Sequence, residues 1–330
     1  MTFSQSFAVT NNYDKQDNII HKHILITIMR FHNLLFAALI TAILSACESG
    51  YDPNDIADSD SSSGSSVSNE GSVNVTFNIA SIEQVDFENT SYATRSTDIT
   101  DLCTRINFAS FSESDTKTTY NYTSEDDDFG TLSVKLAEGT NRVVILAHNG
   151  SGNASIHRPD SIRFSNNKVT DTFYYYGEIE ASEGATYDVS LTRCVAMFRL
   201  IITDDTPEDV TQMEFYYTGG SSTLDATQGL GIVNSRQTED RDVESSAYDG
   251  QSTYEVYTFP HETSDEIDVT VTALDSSKNE LVEKEFTSVP VTINMITQYT
   301  GEFFSETSGS STSTFTLTTD SEWETEDYTY

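Results

Sequence analysis

The chain has 330 residues, with 17 basic and 53 acidic side chains and a formal net charge of −36. So strong an acidic excess repels nucleic acid and anionic lipid headgroups, and neither is expected as a partner. The length allows more than one domain, and with three cysteines and six histidines the supply of metal ligands is poor.

Residues 1–28 carry Asp14, Lys15, Asp17 and Lys22 and none of the patterning of a targeting segment. They read as an extension upstream of the true start, Met29, or as a long n-region of the signal that follows. Met29 to Cys47 reads MRFHNLLFAALITAILSAC. Arg30 supplies a positive flank, and Leu34 to Leu44 form an apolar run broken only by Thr41. That run is shorter than the roughly 20 residues a membrane-spanning helix needs. It suits the apolar region of a secretory signal, roughly 7–15 residues long. Leu44-Ser45-Ala46-Cys47 resembles the lipobox of bacterial lipoproteins. The resemblance implies a signal peptide over residues 29–46, cut in front of a diacylated (palmitate-type) Cys47. Two acyl chains on one residue anchor stably, since each buried CH₂ adds about 0.8 kcal/mol.

Residues 47–72 continue as Glu48 to Gly71, rich in Ser, Gly and Asp and without a basic residue. Such a stretch cannot bury a core and is expected to be a flexible acidic tether. The Asp58-x-Asp60-x-Ser62 spacing lacks the glycine that a calcium loop needs at its sixth position, so no calcium is expected there. The acidic stretch behind the cysteine also resembles the surface-export signal of Bacteroidetes lipoproteins.

From Val73 onward strand follows strand. Val73, Val75, Phe77 and Ile79 alternate with Asn74, Thr76 and Asn78, the period of a half-buried strand. Leu132, Val134 and Leu136 repeat the pattern, and Val143 to Ala147 is a continuous apolar run suited to a strand covered on both faces. Further strands are predicted at Thr172–Tyr176, through the apolar stretch Val189–Ile202, at Met213–Tyr217 before Gly219-Gly220, and at Tyr254–Phe259. Others follow at Ile267–Leu274, Val289–Ile296 and Thr312–Thr318. One short helical turn is expected near Thr97–Leu102. No window sustains a helical period, so the fold is predicted to be all-β, built of β-sandwiches. The polar stretch near Gly184–Asp188 is where a division is expected, giving residues 73–187 and 188–330.

Little chemistry is on offer. His148, His157 and His261 follow the lipobox, and no two have metal-ligand spacing. No G-x-S-x-G elbow occurs, and the carboxylates of Glu125-Asp126-Asp127-Asp128 read as a solvated loop. No enzymatic activity, metal or cofactor is expected. Cys103 and Cys194 either pair in an oxidising compartment or sit apart as small buried hydrophobes, each in an apolar strand-like setting.

Leu191-Thr192-Arg193-Cys194-Val195-Ala196-Met197-Phe198, Phe215-Tyr216-Tyr217-Thr218-Gly219-Gly220-Ser221-Ser222, Asp101-Leu102-Cys103-Thr104-Arg105, Leu146-Ala147-His148 and the run from Asn294 to Gly301 together resemble the fimbrillin-associated anchor lipoproteins of Bacteroidetes type V fimbriae. The resemblance runs from about Tyr92 to Phe304. It implies two transthyretin-like β-sandwich domains in tandem, behind the signal peptide and tether. It also implies a lipid-anchored place at the cell outer membrane, surface-exposed, with other fimbrial subunits as partners. Stalk members of that family are clipped after an arginine near the first strand. Arg95 stands about there, as a processing site or as an uncut loop residue. An anchoring or minor subunit that assembles through β-strand pairing is the expected function. The alternative is a lipoprotein that binds polysaccharide at the cell surface, for which a single tryptophan, Trp323, is a thin aromatic supply.

Overall fold

The computed structural model describes residues 71–82 and 99–305, and the backbone of 316–320 and 326–328. All of them belong to one compact unit, Asp60–Tyr330. The chain runs through β1 (Ser72–Ile82), a single helical turn α1 (Ile99–Leu102), β2 (Arg105–Ser112), β3 (Lys117–Thr123), β4 (Thr131–Ala137) and β5 (Gly139–His148). Next come β6 (Ser155–Arg158), β7 (Ser161–Arg163), β8 (Thr172–Ala181) and β9 (Ala185–Arg193). A second half holds β10 (Ala196–Ile202), β11 (Gln212–Thr218), β12 (Thr223–Asp225), β13 (Leu230–Gly231), β14 (Arg236–Asp242) and β15 (Ser252–Thr258). It ends with β16 (Ser264–Leu274), β17 (Glu280–Thr292), β18 (Ile296–Gly301), β19 (Thr316–Asp320) and β20 (Glu326–Tyr328). The fold is all-β, layered as sandwiches.

Both halves are wound on one plan. In the first, β1 lies between β4, its antiparallel neighbour, and β9, its parallel one. In the second, β10 lies between antiparallel β15 and parallel β18. The facing layers also correspond, β3-β2-β5-β8 in the first half and β14-β11-β16-β17 in the second. A parallel pair needs a long crossover, and in each half the strands of the opposite layer supply it.

The alternation read from the sequence is what fills the layers. Val73, Val75 and Phe77 of β1 and Leu132, Val134 and Leu136 of β4 point into the first core, facing Ile106 and Phe108 of β2. The unbroken apolar run of β5 is buried on both faces: Val143, Ile145 and Ala147 enter the first core, Val144 and Leu146 a different one. The second core gathers Phe198 and Leu200 of β10, Met213 and Phe215 of β11, and Val269 and Val271 of β16.

That third core joins the halves. It packs Ala109, Phe111, Ile156, Ile162 and Phe164 of the first half against Cys194, Val195, Leu224 and Phe259 of the second. A small sheet of order β13-β12-β7-β6 lies with it, and the β7–β12 pairing of Thr223 with Arg163 and Leu224 with Ile162 crosses from one half to the other.

Two expected strands are each divided. Val189–Ile202 breaks at Cys194-Val195, because β9 belongs beside β1 and β10 between β15 and β18. Val189 and Leu191 still pack in the first core. Val289–Ile296 breaks at a turn where Asn294 takes a φ of 65°, a left-handed conformation that asparagine tolerates better than most residues. Residues 316–318 of the expected strand at Thr312–Thr318 lie in β19 (Thr316–Asp320), and 312–315 lie outside the described residues. The helical turn is found at α1.

Candidate functional site

Three places carry the polar structure that the fold does not explain by itself: the joint between the halves, the point where the C-terminal tail departs, and a polar knot under the β5–β6 loop.

At the joint, Arg193 closes β9 with a side chain only 1% exposed. Its Nε and Nη2 donate to the two carboxylate oxygens of Asp171 at 2.7 and 2.8 Å, and its Nη1 donates to Oδ1 of Asn294 at 3.1 Å. The guanidinium also lies over the ring of Phe173, 4.6 Å from its centroid. A buried charge is tolerable only when paired and hydrogen-bonded in this way. Asn294 reciprocates through its backbone, its N–H donating to the carbonyl of Val195 at 2.8 Å. Nearby, Ser221 pairs with Phe259 as an isolated bridge, and its hydroxyl accepts from the N–H groups of Thr223, Ile232 and Val233. A side chain on Gly219 (φ 96°) would come within 2.8 Å of the Glu266 carbonyl oxygen.

At the tail, Asp204 follows β10 and turns its carboxylate on three consecutive N–H groups. Phe303 donates to Oδ1 at 2.7 Å, and Phe304 and Ser305 donate to Oδ2 at 2.8 and 2.6 Å; the Ser305 hydroxyl adds a fourth bond at 2.9 Å. Burial alone raises the carboxyl pKa, but these donors outweigh it and hold Asp204 below the usual carboxylate range. Phe303 is thereby seated in the second core. Beyond this clamp β19 lies antiparallel to β18, with Ile296 opposite Asp320 and Thr300 opposite Thr316, and β20 pairs along β19.

Under the β5–β6 loop, fully buried His148 donates from Nε2 to Oδ1 of Asn107 at 2.8 Å and accepts at Nδ1 from the N–H of Gly150 at 2.9 Å. Those roles require the neutral ring. Burial, and secondly the Arg105 guanidinium, lower its pKa from 6.5 to about 4. Arg105 is itself tied to the carbonyls of Gly150 and Ser151 and to Asn153.

Of the residues marked from the sequence, Cys47 and Arg95 lie outside the described residues. Cys103 and Cys194 are both free, buried thiols. Cys194 donates weakly to the Thr172 carbonyl at 3.5 Å, and burial, then the Asp171 carboxylate, pushes both thiols well above their ordinary pKa. The acidic loop after β3 is exposed except at Asp126, which accepts from the Thr123 N–H and hydroxyl and closes the turn. Among the described residues no three His, Cys, Asp or Glu side chains cluster as metal ligands would. Asp171, Asp204 and the buried Glu239, which accepts from Tyr217 and Arg241, were not legible as structural acids, because they stand in sequence among acids of the surface.

The arrangement is that of an all-β scaffold whose polar contacts lock strands together and fix a terminal strand at a sheet edge. A family profile, "Fimbrillin-A associated anchor proteins Mfa1 and Mfa2", matches residues 152–329. The chain belongs to that family. No curated protein sequence matches it. Among solved structures it is similar to the fimbrial anchor protein Mfa2 from Porphyromonas gingivalis, at 10% identity and a TM-score of 0.37, covering 78% of this chain and 98% of the other. It is also similar to a fimbrial assembly protein from Parabacteroides distasonis, at 11% identity, a TM-score of 0.36, and coverage of 78% and 98%. A third is a candidate polysaccharide-binding protein from Bacteroides thetaiotaomicron, at 8% identity, a TM-score of 0.46, and coverage of 78% and 98%.

Proposed function

We propose that this chain is a lipid-anchored structural subunit of a surface fimbria, an anchoring or minor subunit held to the outer membrane through Cys47. Membership of the anchor family supports the assembly role, and the lipobox-like segment ending at Cys47 supports the lipid. The observation that carries the proposal is the edge of the second half. β18 would present unpaired backbone groups, and a strand from the C-terminal tail covers it. Main-chain pairing along a sheet edge gives affinity, and alternate side chains give specificity. The tail strand is therefore the element that joins, or is donated to, a neighbouring subunit. The repeated strand order supports two β-sandwich domains, meeting at Cys194-Val195.

An anchoring subunit keeps its first strand. β1 is paired on both sides and buries Val73, Val75 and Phe77, and a cut after Arg95 would sever it from the rest of the chain. The mature protein should accordingly begin at Cys47 by mass spectrometry, with no fragment starting at Ser96. Deleting Ser311–Tyr330 tests the assembly role. The truncated protein should fold and reach the membrane but no longer hold fibres at the cell surface; normal anchoring of fibres by the truncated protein overturns the proposal.

A further inference from the structure

Where the β2–β3 hairpin meets the β6–β7 turn, cations gather on a chain that has few. Seventeen basic residues serve the whole sequence. Three of them, Lys117 at the start of β3, Arg142 in β5 and Arg158 at the end of β6, line one hollow of about 540 Å³ together with His157. Two carboxylates share it: Asp115 lies 3.0 Å from Arg142, and Asp160 lies 3.0 Å from Arg158. Both pairs are open to solvent, with side-chain exposures of 43% and 84% and of 70% and 52%. Such exposed pairs are weakly held and leave the guanidinium groups free to turn to a ligand. Lys117, exposed at the start of β3, pairs with no carboxylate among the described residues, and partial desolvation draws its ammonium below the ordinary lysine pKa.

The walls are built rather than accidental. The N–H of Ala226 donates to the Pro159 carbonyl at 2.9 Å, which fastens the β6–β7 turn of the first half against the β12–β13 turn of the second. Arg142 is placed over the Phe111 ring, 6.0 Å from its centroid.

We propose that this pocket binds a single sugar-acid residue of an acidic polysaccharide, a ring with one carboxylate and several hydroxyls. Its volume falls within the roughly 300–1,000 Å³ of small-molecule sites. The ligand carboxylate takes Lys117 and a guanidinium as charge-assisted donors. Asp115, Asp160 and His157 then accept from the ring hydroxyls, a mixture of donors and acceptors that a polyol satisfies. Exposed charges more than a Debye length away, about 10 Å in ordinary salt, are screened, so the net charge of −36 does not forbid one local anion. A polyacidic peptide is disfavoured, since it brings no ring hydroxyls for Asp115, Asp160 and His157 to accept from.

Titration calorimetry on the full chain with glucuronate, glucose and hexaglutamate tests this. Glucuronate should bind at least about tenfold more tightly than glucose, a difference of about 1.4 kcal/mol, and its binding should weaken as salt is raised. Lys117→Ala and Arg142→Gln should each lose about tenfold in affinity while keeping the thermal transition of the parent. Lys117→Arg should retain binding, and Lys278→Ala, in the β16–β17 turn, should leave it unchanged. Absence of glucuronate binding, equal binding of glucose, indifference to the Lys117 and Arg142 changes, or displacement of glucuronate by hexaglutamate each overturns the proposal.

Discussion

Arg193 and Asn294 are 101 residues apart in sequence, and the guanidinium of one donates to the side-chain carbonyl of the other at 3.1 Å. One ends the last strand of the first half, and the other sits in the turn that leads into β18. The bond therefore links the two halves at the place where the chain passes from one to the other.

Arg193→Met should destabilise the protein by about 3 kcal/mol, the low end of the effect of breaking a buried pair, because the Asp171 carboxylate left without its partner is partly exposed. Asn294→Gly keeps the left-handed backbone and removes only the amide, so about 1–3 kcal/mol is expected. Urea unfolding followed by fluorescence measures both. The arginine change should in addition separate a single transition into two, since it loosens the joint.

Asp204 fixes the departure of the tail. Asp204→Ala should speed amide exchange at Phe303, Phe304 and Ser305 and leave Phe215 in the second core protected. The carboxyl is held below its ordinary pKa of 3.8. Its contribution is therefore complete above the unfolded value and is lost as pH falls through the lower folded one. Protection of these three amides, corrected for the intrinsic pH dependence of exchange, should fall only in that acid range; a loss of protection beginning near pH 6 would show that the carboxylate does not hold them.

His148 gives a pH dependence in a milder window. Its folded pKa of about 4 lies below the unfolded 6.5, so between these values the unfolded chain binds the extra proton. Stability should be complete above pH 6.5 and fall as pH drops toward 4, by about 3 kcal/mol in total. His148→Gln should abolish this slope while lowering stability throughout. Denaturation midpoints collected from pH 4.5 to 7.5 decide it.

Cys103 and Cys194 should be inert toward iodoacetamide in the native protein at pH 8, because burial keeps both protonated and the thiolate is the reacting form. Cys103 and Cys194 should each take up one alkyl group, seen by peptide mass, once the protein is unfolded in urea. A mass showing both thiols already oxidised would replace the free pair by a bridge.

The fold class was legible because its alternation is plain at Val73–Ile79 and Leu132–Leu136, and the apolar run Val143–Ala147 foretold a strand buried on both faces. What escaped was largely polar, the buried central strand β2 (Arg105–Ser112) being the exception. The edge strand β14, read Arg-Gln-Thr-Glu-Asp-Arg-Asp, carries charge as edges do to discourage stray pairing, and its sequence alone looks like a loop. The first half of the edge strand β17 escaped for the same reason, and the edge strand β3 because it is mostly Thr, Tyr and Asn. The joint was half legible. Arg193 and Asn294 both lie in the stretches that resemble the anchor family, but nothing in either stretch says that they touch. Asp204 gave no signal, since one aspartate in Thr-Asp-Asp-Thr looks like any other acid of a surface with 53.

The placement of β1 between β4 and β9 has a mechanical meaning. Tension applied to the chain ahead of Ser72, along the strand, loads the hydrogen bonds to both neighbours in shear. Seven residues of β1 are in register with β4 and seven with β9, so the bonds must give way together rather than peel one at a time. Forced unfolding is governed by the unfolding rate rather than by the equilibrium. A strand gripped on both sides resists a pull far longer than its thermodynamic stability alone would indicate.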